Sequence, residues 1–231
     1  MRSSRSARAH ARTGMSVFVP VQLAYAALAC ALLVLAGCAS SPPDHFYSLS
    51  SGGIDAATAP ASTGASTGTG SAAASTQPLY IELQAVAIPQ RVARSQIVIN
   101  SGEGRVDLLE QERWAAPLSA EIGQALSQDL TAGLGAIDVY RSPTPPQAAV
   151  YRISTSVQRF ESAPGQYALV DAVWSVRRVG SDAVLTCRSV ADEKVGAGYD
   201  ALVLGHRRAL ARIAASIAQG VRTVAAGAPS C

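Results

Sequence analysis

Residues 150–192 read VYRISTSVQRFESAPGQYALVDAVWSVRRVGSDAVLTCRSVAD. Three runs rich in apolar and β-branched residues, Val150–Phe160, Tyr167–Val179 and Ala183–Asp192, are separated by Ala163-Pro164-Gly165 and Gly180-Ser181-Asp182. Gly, Pro, Ser and Asp clusters punctuate strands, so the stretch predicts three strands and two tight turns. In the first run Tyr151, Ile153, Thr155 and Val157 share a face, the period of a half-buried strand. Consecutive strands joined this tightly predict an antiparallel sheet, because a parallel neighbour needs a long crossover.

Upstream, Leu79–Val86 alternates well enough for a strand that ends at Pro89. Gln96–Asn100 and Arg105–Leu108 flank Ser101-Gly102-Glu103-Gly104, a hairpin signal. Beyond Trp114, the residues Leu118, Ile122, Leu126, Leu130 and Leu134 recur every four positions, one apolar stripe of a helix. Pro117 suits its first turn, and Gly133 and Gly135 suit its end. A last helix is predicted from Asp200, a plausible N-cap, with Leu210, Ile213, Ile217, Val221 and Val224 as its stripe. The fold class is α+β: a mostly antiparallel sheet with two amphipathic helices packed on one face.

The first third of the chain has another character. Arg2, Arg5, Arg8 and Arg12 precede an uncharged run from Met15 to Gly37, the pattern of an export signal. A membrane-spanning helix is the competing reading of Val17–Leu35, but Pro20 and Gln22 shorten its apolar core. Leu35-Ala36-Gly37-Cys38 resembles the bacterial lipobox, in which a branched apolar residue and two small ones precede a cysteine that becomes lipidated. Cys30 follows Ala27-Leu28-Ala29, a poorer match. Residues 1–37 thus read as a lipoprotein signal peptide and 38–45 as the lipidated N-terminus and spacer. Resemblance to enterobacteria-like lipoprotein sorting, in which an Asp in the place of Ala39 favours inner-membrane retention, implies the outer membrane, with the domain facing the periplasm. Which of Met1 and Met15 starts translation stays open.

Removing residues 1–37 takes four of the 19 basic side chains and no acid, leaving 15 against 16 and a net charge of −1. No basic surface for nucleic acid survives that subtraction. His45, Phe46, Tyr47, Ser48 and Leu49 form a short candidate strand where the domain of residues 46–231 begins. Within it, residues 51–78 are almost pure Ala, Ser, Thr and Gly and read as a disordered insertion. Two cysteines remain, Cys187 and Cys231. In an oxidising periplasm they are a candidate disulfide; two separate thiols is the alternative.

Little in the mature chain carries chemistry. His45 and His206 have no ligand spacing, and Lys194 is the only lysine. No nucleophile elbow, zinc motif or phosphate loop is present. His206 reads as a residue on the rim of a helix, and Glu110 with Glu112 as a solvated face. The expectation is a non-enzyme without cofactor.

The whole mature chain resembles the PqiC/YmbA-type family of ABC transport auxiliary lipoproteins. The matching pieces are Phe46-Tyr47-Ser48-Leu49, Val86-Ala87-Ile88-Pro89-Gln90 with Ile97-Val98, Trp114-Ala115-Ala116-Pro117-Leu118, Phe160-Glu161, Trp174, Gly198-Tyr199-Asp200 and Ser216-Ile217-Ala218. The insertion and the Cys187/Cys231 pair depart from the shared pattern. The resemblance implies an outer-membrane docking or auxiliary subunit for an MCE-type intermembrane lipid transport system, with an MCE-domain periplasmic protein and inner-membrane transport subunits as partners. Two other functions stay open: an envelope scaffold activating a wall or membrane assembly enzyme, and a periplasmic hydrolase.

Charge placement bears on self-association. Seven acids lie between Glu103 and Asp138, and four arginines (Arg207, Arg208, Arg212, Arg222) follow Asp200 with no acid. They read either as solvated helix faces or as the two sides of a head-to-tail contact closing a homo-oligomeric ring. Trp114 reads as a core anchor or as a partner-binding residue.

Overall fold

The computed structural model describes residues 42–50, 78–102 and 104–231. The signal peptide, Cys38, Ala39 and all but the last residue of the 51–78 insertion lie outside them. Everything below belongs to the unit Pro43–Cys231. Its elements run β1 (His45–Tyr47), β2 (Leu79–Leu83), β3 (Gln96–Gly102), β4 (Arg105–Trp114), α1 (Leu118–Leu134), β5 (Ala136–Asp138), β6 (Val150–Ala163), β7 (Tyr167–Arg178), β8 (Leu185–Lys194) and α2 (Tyr199–Ala225).

The three runs of the opening stretch are β6, β7 and β8, paired antiparallel in sequence order. They belong to a five-stranded sheet of order β5-β2-β6-β7-β8. A bulge shapes β6: Val157 pairs with Ala172 and Arg159 with Asp171, leaving Gln158 as an extra residue. An extra residue switches the side-chain alternation. Tyr151, Ile153, Thr155 and Val157 are therefore buried before it, and Phe160 and Ser162 after it. Opposite them lie Ala168, Val170, Ala172, Trp174 and Val176 of β7, then Leu185, Cys187 and Ala191 of β8, all buried. Helix α2 covers β7 and β8 with Leu202, Leu210, Ile213, Ile217 and Val221, while α1 packs beside it, on β2 and β5.

The α+β class holds, with local differences from the sequence reading. A second sheet, of order β1-β4-β3, joins β3 and β4 antiparallel but β1 to β4 in parallel. In the large sheet β2 is parallel to both β5 and β6. No turn signal announces such pairs, because parallel partners are distant in the chain. Helix α1 spans the anticipated residues and ends at Gly135 in the left-handed conformation (φ 61°), whose N–H bonds the Thr131 carbonyl. Helix α2 starts one residue before Asp200, which sits in its first turn, and Gly198 (φ 90°) takes the N-cap position. No helix among the described residues is long and apolar enough to cross a membrane.

Candidate functional site

The short strand β1 is held far more firmly than three residues would suggest. Its backbone runs alongside the end of β4, and the Ala115 N–H donates to the Tyr47 carbonyl at 2.8 Å. Glu112 Oε2 accepts from the Tyr47 hydroxyl at 2.6 Å, and Glu112 Oε1 lies 2.9 Å from His45 Nδ1. Burial would raise the Glu112 pKa, yet the hydrogen bonds from Tyr47 and His45 outweigh it and hold the carboxyl below its ordinary value. The same bond raises the His45 pKa.

Next, the buried carboxylate of Glu121, in the first turn of α1, accepts from Ser48 Oγ and from the Leu49 N–H, both at 2.8 Å. A carboxylate there also complements the helix dipole. On the other side Arg207 of α2 donates from Nη2 and Nε to the Ser48 carbonyl, at 2.9 and 3.2 Å. Residues 45–49 are thus tied to β4, α1 and α2 together. This segment begins at the last residue of the spacer of the sequence reading.

His45 is exposed but bonded to Glu112, whereas Phe46 is exposed and apolar. Phe46 is 64% exposed, and Arg113, its partner across the β1–β4 ladder, shares its face. Beside them runs a groove of about 530 Å³ lined by Phe46, Ile88, Trp114, Ala115, Pro117 and Leu118, with Arg94 and Arg113 also contributing. A second groove, of about 630 Å³, follows α1 and β2 and is lined mainly by small and polar residues, among them Ser119, Gly123, Gln124 and Ser127.

The sequence candidates fall in distinct places. Trp114 is a core residue, 4% exposed, with edge-on contacts to Phe160 and His206. Arg207 is engaged at Ser48. Arg208 Nε and Arg212 Nε reach the two carboxylate oxygens of Glu193, a buried residue of β8, at 3.2 and 2.7 Å. Within the chain these three arginines thus hold α2 to its own neighbours. Cys187 and Cys231 are bonded, with Cα atoms 5.8 Å apart, which brings the C-terminus onto β8.

His206 overturns the expectation of a helix rim, and Glu112 that of a solvated acid. His206 is fully buried: it stacks on Phe160 with ring centroids 4.0 Å apart, and its Nε2 lies 2.8 Å from Ser162 Oγ. Burial alone depresses its pKa to about 3, so the imidazole is neutral. The α2 register, one turn from Val203 and Leu210, could have flagged it. Among the described residues no group of three or more His, Cys, Asp and Glu side chains is placed to hold a metal.

The family model for the ABC-type transport auxiliary lipoprotein component matches residues 63–218, most of the folded region. The chain belongs to this family. Its general role is accordingly that of an auxiliary lipoprotein in ABC-type transport. Among solved structures, the crystal structure of an uncharacterized protein is similar over 62% of this chain and 92% of its own, with a TM-score of 0.54 and 18% identity. That likeness concerns the fold. A protein from Xanthomonas campestris aligns over 60% of this chain and 80% of its own, with a TM-score of 0.49 and 14% identity. No curated protein matches.

Proposed function

We propose that this chain is a non-enzymatic outer-membrane lipoprotein that docks the periplasmic part of an MCE/ABC-type intermembrane lipid transport system. The observation that carries the reading is the family match over residues 63–218. In this reading residues 1–37 are removed, Cys38 is lipidated and Ala39 directs the protein to the outer membrane. The domain of residues 46–231, which contains the insertion at 51–78, then faces the periplasm. The tied segment of residues 45–49 supports the reading physically. A docking subunit must transmit its position from anchor to partner, and contacts to three elements leave little slack between them.

Periplasmic cross-linking followed by mass spectrometry of the captured partners tests it. An MCE-domain protein with its inner-membrane subunits is the expected capture. A peptidoglycan synthase as the dominant partner would overturn the proposal in favour of a wall-assembly role.

A further inference from the structure

In residues 45–49 every side chain but one is bonded or buried, and that one is aromatic. His45 and Tyr47 meet Glu112, Ser48 meets Glu121, and Leu49 is buried in the core. Phe46 stands 64% exposed at a groove whose walls include Ile88, Trp114, Pro117 and Leu118. Two arginines belong to the same groove. Arg113 donates from Nε to the Glu110 carbonyl and lies 3.8 Å from Asp44; no side-chain partner of Arg94 is found among the described residues. An exposed aromatic side chain beside an apolar groove with basic neighbours is the chemistry of a contact with an anionic lipid surface.

We propose that Phe46, its groove, Arg94 and Arg113 form a second contact with the phospholipid bilayer, which together with the N-terminal lipid sets the domain's orientation on the membrane. The lipid-anchor half of this statement rests on the function proposed above. Chain length argues for the bilayer as occupant. Seven residues separate Cys38 from Phe46, and at about 3.3 Å each they hold the patch within roughly 25 Å of the lipidated residue. Because β1 is tied to β4, α1 and α2, a contact at Phe46 orients the whole domain. Charge is complementary too: the guanidinium groups would meet phosphate, and Asp44 is the acid that pairs with Arg113 there. Phe46 would enter the interfacial region as aromatic side chains commonly do.

The test uses the mature chain from residue 38 carrying Cys38→Ser, so that no acyl chain contributes. Co-sedimentation is measured with vesicles of phosphatidylethanolamine and phosphatidylglycerol, and with pure phosphatidylcholine. The unlipidated chain should bind the anionic vesicles and weaken as salt is raised. Phe46→Ser and Arg94→Ser should each reduce partitioning about tenfold. Val184→Ser, at a residue 54% exposed in the β7–β8 turn, should leave it unchanged. Thermal melts should match, since Phe46 is at the surface. Absence of vesicle binding overturns the proposal; so does binding that Phe46→Ser leaves intact or that Val184→Ser lowers equally. The anchor is read separately, from the mass of the wild-type protein extracted from membranes. An acylated mass without vesicle binding sinks only this second contact, whereas an acyl-free mass sinks the anchor.

Discussion

Helix α2 carries Gly205 and Gly220 in its interior, where glycine is destabilising by about 1 kcal/mol relative to alanine. On propensity alone, Gly→Ala at either position should stabilise the protein. The packing of α2 on the sheet reverses that sign. A Cβ on Gly220 would lie 2.7 Å from Cη2 and Cζ3 of Trp174 and 3.2 Å from Leu185 Cδ2. The indole cannot easily withdraw, because its Nε1 donates to Ser189 Oγ at 2.9 Å from the middle of the sheet. A Cβ on Gly205 would overlap Val195 Cγ1 and lie 3.0 Å from Ala168 Cβ. Overpacking of this kind costs about 1–3 kcal/mol, against a gain near 1. Gly220→Ala should therefore lose on the order of 1 kcal/mol net, and Gly205→Ala more. Gly133 of α1 is the control, since a Cβ there meets nothing within 4 Å; Gly133→Ala should gain up to about 1 kcal/mol. Urea denaturation with the Cys187–Cys231 bond intact measures all three. If Gly205→Ala and Gly220→Ala raise the midpoint as Gly133→Ala does, α2 does not approach the sheet as closely as described and the reasoning fails.

Three further outcomes are expected. Because the folded pKa of His206 is depressed from 6.5 to about 3, the unfolded chain takes up a proton that the folded one refuses. Stability should fall as pH drops below about 6.5, by about 2 kcal/mol at pH 5, a loss that a His206→Gln variant should largely lack when its denaturation is compared at pH 7 and 5. Trp114→Ala should lower stability by about 3–5 kcal/mol, as for a buried Trp; unchanged stability with lost partner capture would instead mark it as an interface residue. Cys231→Ser opens a loop spanning 44 positions and should cost up to about 4 kcal/mol on the chain-entropy model, and thiol labelling of the unfolded, unreduced protein should find neither Cys187 nor Cys231 free.

The candidate site was legible only in fragments. Phe46-Tyr47-Ser48-Leu49 stood out as a motif, but not which of its side chains point outward. That depends on the parallel pairing of β1 with β4, across more than sixty residues of sequence. Glu121 looked like one acid among seven in an acidic stretch, and only the return of residues 48 and 49 to the start of α1 makes it a buried acceptor. Arg207, Arg208 and Arg212 looked like a basic surface because their acceptors, the Ser48 carbonyl and Glu193, come from elsewhere in the chain.

Local patterns in the sequence by themselves determined the two helices, the β3–β4 hairpin and the three strands of residues 150–194. Each rests on interactions within a few residues or across a tight turn: helix periodicity, strand alternation, turn chemistry. Tertiary structure alone decided the rest. The bulge at Gln158 turns Phe160 toward the core, against the alternation that precedes it. Two interior glycines become contact points rather than weak spots in α2. His206 becomes a neutral core residue because the aromatic rings of Phe160 and Trp114 close over it from distant strands. In each case the energy of a side chain depends on atoms far away in the chain, and no local pattern carries their positions.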